Sequence, residues 1–314
     1  MLLPSSEIQH LNTVFAYVVQ LDKISGLVLM ITLKLSYYPW IVQHKSDLEI
    51  RSAICLFVNE IQQQWQKSLG SSIRIEVLNP VSVPDQINMI IENECDIALM
   101  NPLGFVFARS HQKKVEAIAI ALRIINNQVG KTYFAQIFTH KRTAIKKLAQ
   151  IKGRSMGYGY PYSTSGFIIP AWTLMQEQIH PFTSFPRIEF LGSHEVVAIA
   201  VYDGDVDIGT GHDGVIVDLA NQRGYGDALD QLVTLKQSAP IPSDPVVVNI
   251  SDEKLKLNLQ KALVQASKTP QGKESIGIFW GNVQGLEIID SSEYEMLNQC
   301  LIDLKLFEKD LITK

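Results

Sequence analysis

Residues 157–170 read GYGYPYSTSGFIIP, and this stretch marks the junction that decides the fold. An apolar run typical of a strand precedes it, and an apolar run typical of a helix follows. Between the two runs stand Ser163, Thr164 and Ser165, followed by Gly166. A strand that ends in small polar residues and leads into a helix is typical of an α/β unit.

Short apolar strands and longer helical patterns alternate along the chain from residue 32 onward. Examples are the strand TLKLSYYP at 32–39 and the helix over 47–69. The alternation predicts βαβ units and a largely parallel sheet. It also predicts a helix over 143–149.

The chain changes character near residue 250. Helical spacing there predicts two helices, over 252–267 and 293–304, joined by a loop that contains glycine. The middle of the chain carries a complete strand–helix set of its own, which favours two lobes over one continuous sheet. The predicted divisions are an N-terminal extension (1–31), a first lobe (32–127 with 236–314) and a second lobe (128–235). Ligands favour the cleft between two such lobes.

The composition excludes several classes of function. The chain has 314 residues, of which 46% are hydrophobic and 19% charged, as in a globular protein. Its net charge is −4 and its 28 basic residues are dispersed, so no nucleic-acid partner is predicted. Three isolated cysteines and seven scattered histidines show no metal-ligand spacing, so neither a metal nor a cofactor is predicted.

The first thirty residues do not predict a secretory signal. MLLPSSEIQH contains no Lys or Arg, and Asp22 and Lys23 divide two apolar stretches. Neither stretch reaches the roughly 18 apolar residues that cross a bilayer. The residues alone therefore leave a cytoplasmic location open.

The hydroxyl residues at the strand–helix junction have two interpretations. Ser163 is a natural N-cap, and the residues after it supply the first unpaired backbone N–H groups of the helix. Together with the hydroxyls and the positive helix end, these groups predict an anion site that needs no Lys or Arg. Plain helix capping by Ser163 is the alternative.

A catalytic serine does not fit the same stretch. The nucleophile elbow G-x-S-x-G requires glycines two residues before and after the serine. Ser163 instead has Pro161 and Ser165 at these positions, and Ser165 has Ser163 before it. A hydrolase is therefore not favoured.

Further polar residues fall where predicted strands end. His194 lies at a strand-to-helix turn after RIEFLG, where its neutral imidazole can donate a hydrogen bond to an oxyanion. His212 and Asp213 follow the strand VDIGTG. Asp244 lies in IPSDP, at the second crossing between the lobes, where prolines restrict the backbone. A surface histidine and a turn-capping aspartate are the alternative interpretations.

Four stretches occur in a fixed order: DIALMNPLGFVFA (96–108), PYSTSGFIIP (161–170), GSHEVVAIAVYDGDVDIG (192–209) and APIPSDPVVV (239–248). Taken together they resemble the phosphate, phosphite and phosphonate substrate-binding proteins of ABC importers. The resemblance covers residues 32–310. It implies an α/β, two-lobed periplasmic-binding-protein fold of class II with the ligand cleft between the lobes.

The resemblance also implies roles for individual residues. Ser163, Thr164 and Ser165 match the helix start that grips the phosphonate, and His194 matches a histidine that contacts it. Asp244 matches the carboxylate that holds the ammonium group of amino-phosphonates, and Asp213 is a candidate second carboxylate.

Two more residues complete the predicted site. Tyr38 lies at the end of the first strand. Asn101 stands where members of the family often carry an aromatic pair and glycine.

The implied function is capture of a small phosphorus oxyanion without chemistry, in the periplasm or cell envelope, by a monomer that delivers it to an ABC permease. Two alternatives share the fold, namely a ligand-sensing module without a transport role and an enzyme similar to a thiamine-pyrimidine synthase. The isolated cysteines argue against the enzyme.

Overall fold

The computed structural model describes residues 30–39, 45–125 and 128–306. The described strands are β1 (Ile31–Tyr37), β2 (Ile73–Val77), β3 (Ile97–Leu99), β4 (Glu116–Ile125), β5 (Gln128–Gly130), β6 (Thr132–Tyr133), β7 (Ala135–His140), β8 (Ser155–Tyr158), β9 (Arg187–Phe190), β10 (Ile208–His212), β11 (Leu232–Gln237), β12 (Ile241–Pro242), β13 (Pro245–Val248) and β14 (Val283–Ile288). The α-helices are α1 (Asp47–Leu69), α2 (Val83–Ile91), α3 (Pro102–His111), α4 (Ile169–Gln176), α5 (His194–Asp203), α6 (Val215–Ala220), α7 (Ala228–Gln231), α8 (Glu253–Ala266), α9 (Pro270–Trp280) and α10 (Glu295–Leu304). The predicted N-terminal extension lies outside the described residues except for its last two positions.

The strands form two mixed sheets. The first sheet has the order β14-β4-β13-β3-β1-β2, with β5 paired to β4, and the second has the order β11-β7-β10-β8-β9. In each sheet a strand that arrives from the other sheet, β13 or β7, runs antiparallel to its neighbours. The α/β class is confirmed, whereas the prediction of a largely parallel sheet is wrong, because of these incoming strands and because β4 also pairs antiparallel with β14 and β5.

The chain passes between the sheets twice, and the two crossings pair with each other. β6 and β12 form a short antiparallel ladder, and the N–H of Ser243 donates to the carbonyl of Lys131 at 2.9 Å. The predicted lobe boundary at residue 127 falls inside the β4–β5 hairpin of the first sheet. The lobe divisions themselves remain a prediction.

The first helix forms as its sequence predicts. Ser46 and Glu49 make a reciprocal capping box at its start, and Gly70 ends it in the left-handed conformation, with φ of 67°. Its buried face carries residues such as Ile54, Phe57 and Ile61 at helical spacing. This face packs against the first sheet together with α8 and α9.

The sequence interpretation missed several elements. The segment predicted as a glycine-containing loop contains α9 and β14, and the helix predicted over 143–149 is replaced by two short 3₁₀ turns, Lys141–Thr143 and Leu148–Ile151. Ala144 adopts a left-handed conformation, with φ of 58°, which ends the first turn and prevents a continuous helix.

One hydrophobic cluster joins the two sheets. It includes Leu103 and Phe105 of α3, Tyr158 of β8, Phe167 of the helical turn before α4, and Leu297 of α10. α10 also ties the two sides through a hydrogen bond from Trp172 Nε1 in α4 to Asp303 Oδ2 at 2.9 Å. The core is therefore continuous on this side of the molecule. Within the described ranges, no helix has the length and apolarity needed to cross a membrane.

Two glycines of α9 give a matched test of its packing. A Cβ at Gly272 would lie 1.8 Å from the carbonyl oxygen of Ala266, whereas a Cβ at Gly277 would meet nothing within 4 Å. We expect Gly272→Ala to destabilise the protein by more than about 2 kcal/mol, since backbone must move. Gly277→Ala should be neutral or stabilising by up to about 1 kcal/mol. Urea unfolding measures both, and equal effects would contradict the packing described.

Candidate functional site

A cavity of about 330 Å³ lies between the two sheets, at the ends of their strands. The residues predicted to form a site from the sequence all line it, although their contact with a ligand stays a prediction. They are Tyr38, Asn101, Ser163, Thr164, Ser165, His194, Asp213 and Asp244. Strand ends and helix starts from both sheets therefore converge on one space.

At the helix start after β8, one carbonyl lacks the backbone N–H donor that it would have in a regular α-helix. Residues Thr164–Ile168 form a π-helical turn before α4, and Pro170 has no N–H with which to bond the carbonyl of Gly166 in the usual helical pattern. That carbonyl instead accepts from the N–H of Gly159 at 2.9 Å and from Thr210 Oγ1 at 2.6 Å. The helix start is thus hydrogen-bonded to Gly159, which directly follows β8, and to Thr210, which lies in β10.

Ser163 caps this helix start, as the sequence predicted. Its Oγ accepts from the N–H of Gly166 at 3.0 Å, and its carbonyl accepts from the N–H of Ile168 at 3.2 Å. Thr164 and Ser165 are buried but line the cavity. Capping and anion binding are therefore compatible here, because the cap uses Ser163 while the next two residues face the cavity.

His194 approaches the helix start closely because residue 166 is glycine. A Cβ at Gly166 would lie 2.9 Å from His194 Cε1 and 2.7 Å from Ser163 Oγ. His194 Nε2 lies 3.5 Å from Ser163 Oγ, while Nδ1 is buried and has no hydrogen-bond partner within the described residues. A catalytic triad needs a carboxylate at Nδ1 of its histidine, and His194 has none there within the described residues.

Burial sets the charge of His194. Loss of solvent lowers its pKa to about 4, so the imidazole is neutral at pH 7 and carries a single N–H donor. Its ring meets that of His212 edge to face, with centroids 5.0 Å apart. His212 accepts from the N–H of Gly214 at 3.1 Å and lies 3.4 Å from Asp218 Oδ2.

A buried ion pair, which the sequence interpretation missed, forms another wall of the cavity. Arg123, at the end of β4, donates from Nη2 to Asp244 Oδ2, from Nε to Ser243 Oγ at 2.7 Å and from Nη1 to Asn282 Oδ1 at 3.1 Å. Its guanidinium lies 5.2 Å from the ring centroid of Tyr133. The anion site predicted at residues 163–165 needs no Lys or Arg, and this stays a prediction; the cavity that these residues line also contains Arg123.

Burial and the ion pair compete over the charge of Asp244. Desolvation raises the pKa of Asp244, and the adjacent Arg123 opposes that rise. Asp213, which is half-buried beside Phe134, also has a raised pKa through burial, and Arg123 again opposes the rise. Arg123 therefore acts on both carboxylates that the sequence assigned to the site.

Two tyrosines supply neutral donors. Burial and the negative charge of Asp244 raise the pKa of Tyr38, and the same two causes raise the pKa of Tyr133. The nearby Ser165 and Thr164 side chains oppose the rise in the pKa of Tyr133. Tyr133 was missed from the sequence, because nothing in TYFAQIFTH distinguishes it from a core aromatic residue.

Asn101 and Thr164 join the first sheet's α3 to the helix start. Asn101 Oδ1 caps α3 by accepting from the N–H of Gly104 at 2.7 Å, while its Nδ2 donates to the carbonyl of Tyr162 at 3.0 Å. The N–H of Leu103 donates to Thr164 Oγ1 at 3.1 Å. Because this hydroxyl accepts from Leu103, its own proton remains available for another acceptor. The Asn101 side chain thus acts mainly between protein segments.

The site has no feature of a metal centre in the part of the chain that the structure describes. No group of three or more His, Cys, Asp or Glu side chains there is arranged to hold a metal ion. Cys55, Cys95 and Cys300 are free thiols. What the arrangement offers instead is a set of neutral and cationic hydrogen-bond donors, with carboxylates beside them, around a cavity whose surface is part polar and part apolar.

Comparisons with known proteins agree with this architecture. The family described as "ABC transporter, phosphonate, periplasmic substrate-binding protein" matches residues 57–294. The phosphonates-binding periplasmic protein of Escherichia coli K12 is 29% identical over 147 residues, 45% of this chain and 42% of that protein. The phosphate-import protein PhnD of Mycolicibacterium smegmatis is 23% identical over 157 residues, 48% of each. The alignments thus span about half the length of these relatives.

Solved structures share the fold over most of the chain. A binding protein component of an ABC phosphonate transporter from Pseudomonas aeruginosa has a TM-score of 0.68 at 19% identity, covering 88% of this chain and 87% of that one. A Prochlorococcus marinus protein in complex with methylphosphonate has a TM-score of 0.69 at 17% identity, covering 87% and 98%. At these identities the likeness concerns the fold.

The pKa of His194 leads to a pH-dependent stability. Because folding lowers this pKa from its ordinary value of about 6.5, the unfolded chain binds the proton more tightly. The contribution of the neutral His194 to the free energy of unfolding is therefore present above pH 6.5 and is lost as the pH falls towards 4. We expect wild type to lose about 2–3 kcal/mol more than His194→Asn between pH 7 and pH 4.5, measured by urea unfolding. His111→Asn, at an exposed site, is the control and should behave as wild type.

A second prediction concerns the link made by Asn101. Asn101→Asp keeps the oxygen that caps α3 but places an oxygen against the carbonyl of Tyr162 in place of a donor. We expect a loss of about 1–3 kcal/mol in the free energy of unfolding. Asn101→Ala removes the cap as well and should cost at least as much. A wild-type stability for Asn101→Asp would show that the bond to Tyr162 contributes nothing.

Proposed function

Because the chain belongs to the family of periplasmic substrate-binding proteins of phosphonate ABC transporters, we propose that it captures a small phosphorus oxyanion for such an importer. Phosphonate, phosphite and phosphate are the ligand class. The residues that hold the oxyanion are Ser163, Thr164, Ser165 and His194, with Tyr133 and Tyr38 as further donors. Asp213 and Asp244 lie on the side of the cavity that would receive the ligand's substituent.

The observation that carries the proposal is the convergence of unrelated donors on one cavity. A helix start places hydroxyls and the first backbone N–H groups there, and a neutral buried imidazole adjoins them. Arg123 lines the same cavity as the partner of Asp244. Such donors favour an anion because each contributes a charge-assisted hydrogen bond, and the helix dipole adds to them. The printed names of the relatives, which concern phosphonates and phosphate import, support the same ligand class.

Closure of the two lobes is the proposed mechanism. The lobes are residues 32–127 with 236–314, and residues 128–235, joined by the paired crossings β6 and β12. The cavity wall is drawn from both, so an oxyanion contacts all its donors only when the lobes approach. A ligand shifts the population towards the state that it contacts better, and the permease would recognise that state. We place the activity in the periplasm or cell envelope, as in the family, and propose that the protein acts as a monomer.

Calorimetry on one hydroxyl tests the proposal. Wild type is titrated with phosphate, phosphite and methylphosphonate, with sulfate for comparison. We expect Ser165→Ala to weaken each phosphorus ligand that wild type binds by about 1.5–3 kcal/mol, since a hydrogen bond to a charged group is lost. The control is Ser71→Ala, at an exposed position outside the cavity lining. The proposed site would be contradicted if wild type bound none of the three phosphorus ligands, or if Ser165→Ala left the affinity unchanged.

A further inference from the structure

The Arg123–Asp244 pair bears on which phosphorus oxyanions the cavity selects. Asp244 is 6% exposed and lines the cavity, so it is placed to attract any cation that enters. Its Oδ2 already receives Nη2 of Arg123. The carboxylate therefore has a counter-ion supplied by the protein.

Arg123 is held firmly in this position. Three of its five N–H groups donate to Asp244, Ser243 and Asn282, and its planar face lies over the ring of Tyr133. Displacing it would leave a guanidinium without its partner in a mostly buried place, which is strongly unfavourable. An entering ammonium group that reached the other oxygen of Asp244, Oδ1, would lie within a few ångströms of the guanidinium, which repels it.

Three other acidic residues, Asp213, Glu195 and Asp218, line the cavity. Arg123 opposes the raised pKa of Asp213, which shows that its positive charge also acts on that carboxylate. Glu195 and Asp218 lie in the first turns of α5 and α6, where the helix N-terminus favours a negative charge. Asp218 also lies 3.4 Å from His212.

We propose that Arg123 is a specificity-determining residue that occupies, from within the protein, the position of a ligand cation, so that the site selects phosphorus oxyanions without an ammonium-bearing substituent. The inference rests on the proposed function, since it concerns the substituent of the same ligand. The guanidinium repels an ammonium group that lies within a few ångströms, and it leaves an uncharged substituent unaffected. Asp244 thereby serves as the anchor of Arg123, in place of the ammonium-holding role that the sequence resemblance implied.

Two ligands of nearly equal shape provide the test on the wild-type protein. Propylphosphonate and 2-aminoethylphosphonate differ chiefly in a terminal methyl group against a terminal ammonium group. We expect titration calorimetry to give at least tenfold tighter binding of propylphosphonate. Equal affinities, or tighter binding of the amino ligand, would overturn the proposal.

Variants then assign the selectivity to Arg123. Arg123→Met frees Asp244, so its ratio of affinities should shift by at least tenfold towards the amino ligand. Arg123→Met/Asp244→Asn removes both charges and should show no such gain, which makes it the matched control. An equal shift in the single and double variants would show that Asp244 is not the group that Arg123 screens.

A failure to fold, a loss of selectivity and a loss of all ligand binding are three different outcomes and are distinguished as follows. If the single variant fails to fold, Arg123→Lys retains the positive charge and should keep the wild-type preference, whereas a gain of amino-ligand binding in it would overturn the proposal. Loss of the selectivity alone contradicts this inference. Absence of binding for phosphate, phosphite and every phosphonate tried would instead contradict the proposed function.

Discussion

The carbonyl of Gly166 is the group on which the arrangement of the cavity depends. Pro170 cannot supply the helical N–H for it, so Gly159 and Thr210 supply the donors. The helix start is thereby attached to the second sheet, in addition to the bond that Thr164 accepts from the N–H of Leu103. The hydroxyls of Ser163 and Ser165 take their places from this attachment. The missing side chain of the same glycine lets His194 lie against them.

In the connection between the sheets, single side chains likewise bond to more than one segment. Asn101 uses one side-chain atom to cap a helix and the other to hold the loop before Ser163. Arg123 fixes Ser243 and Asp244, which lie directly after the second crossing, and the backbone N–H of Ser243 bonds to the first crossing. The walls of the cavity and the joints of the chain are thus made from the same residues.

The sequence predicted the parts of the site that local rules control. A serine before a helix, and a histidine where a strand gives way to a helix, are visible in a short window because capping and strand–helix alternation are local. The residues 163–165 and His194, which such rules identify, all line one cavity, whereas Tyr38, Asn101 and the ligand roles of Asp213 and Asp244 were assigned through the family resemblance. The role of Arg123 depends on a partner 121 residues away in the chain, which no local pattern contains.

The errors in the fold have equally specific causes. β13 is buried along its whole length and lies between two antiparallel neighbours, so the mixed sheets could not be inferred from strand–helix alternation alone. α9 contains two glycines, which lower the helix propensity of the isolated segment. Packing against α1 and the first sheet outweighs that local preference.

The hydrophobic cluster that runs from α3 through Phe167 to α10 has a consequence for cooperativity. Two sheets suggest two independent folding units, yet neither could separate from the other here without exposing the apolar side chains of this shared cluster. Exposure of that area carries a large free-energy cost, so partial unfolding of one sheet alone is disfavoured. The excised middle segment would keep the smaller cluster formed by its own residues 138–232 but would lose its partners in the shared cluster. The two sheets are therefore expected to unfold in a single cooperative transition.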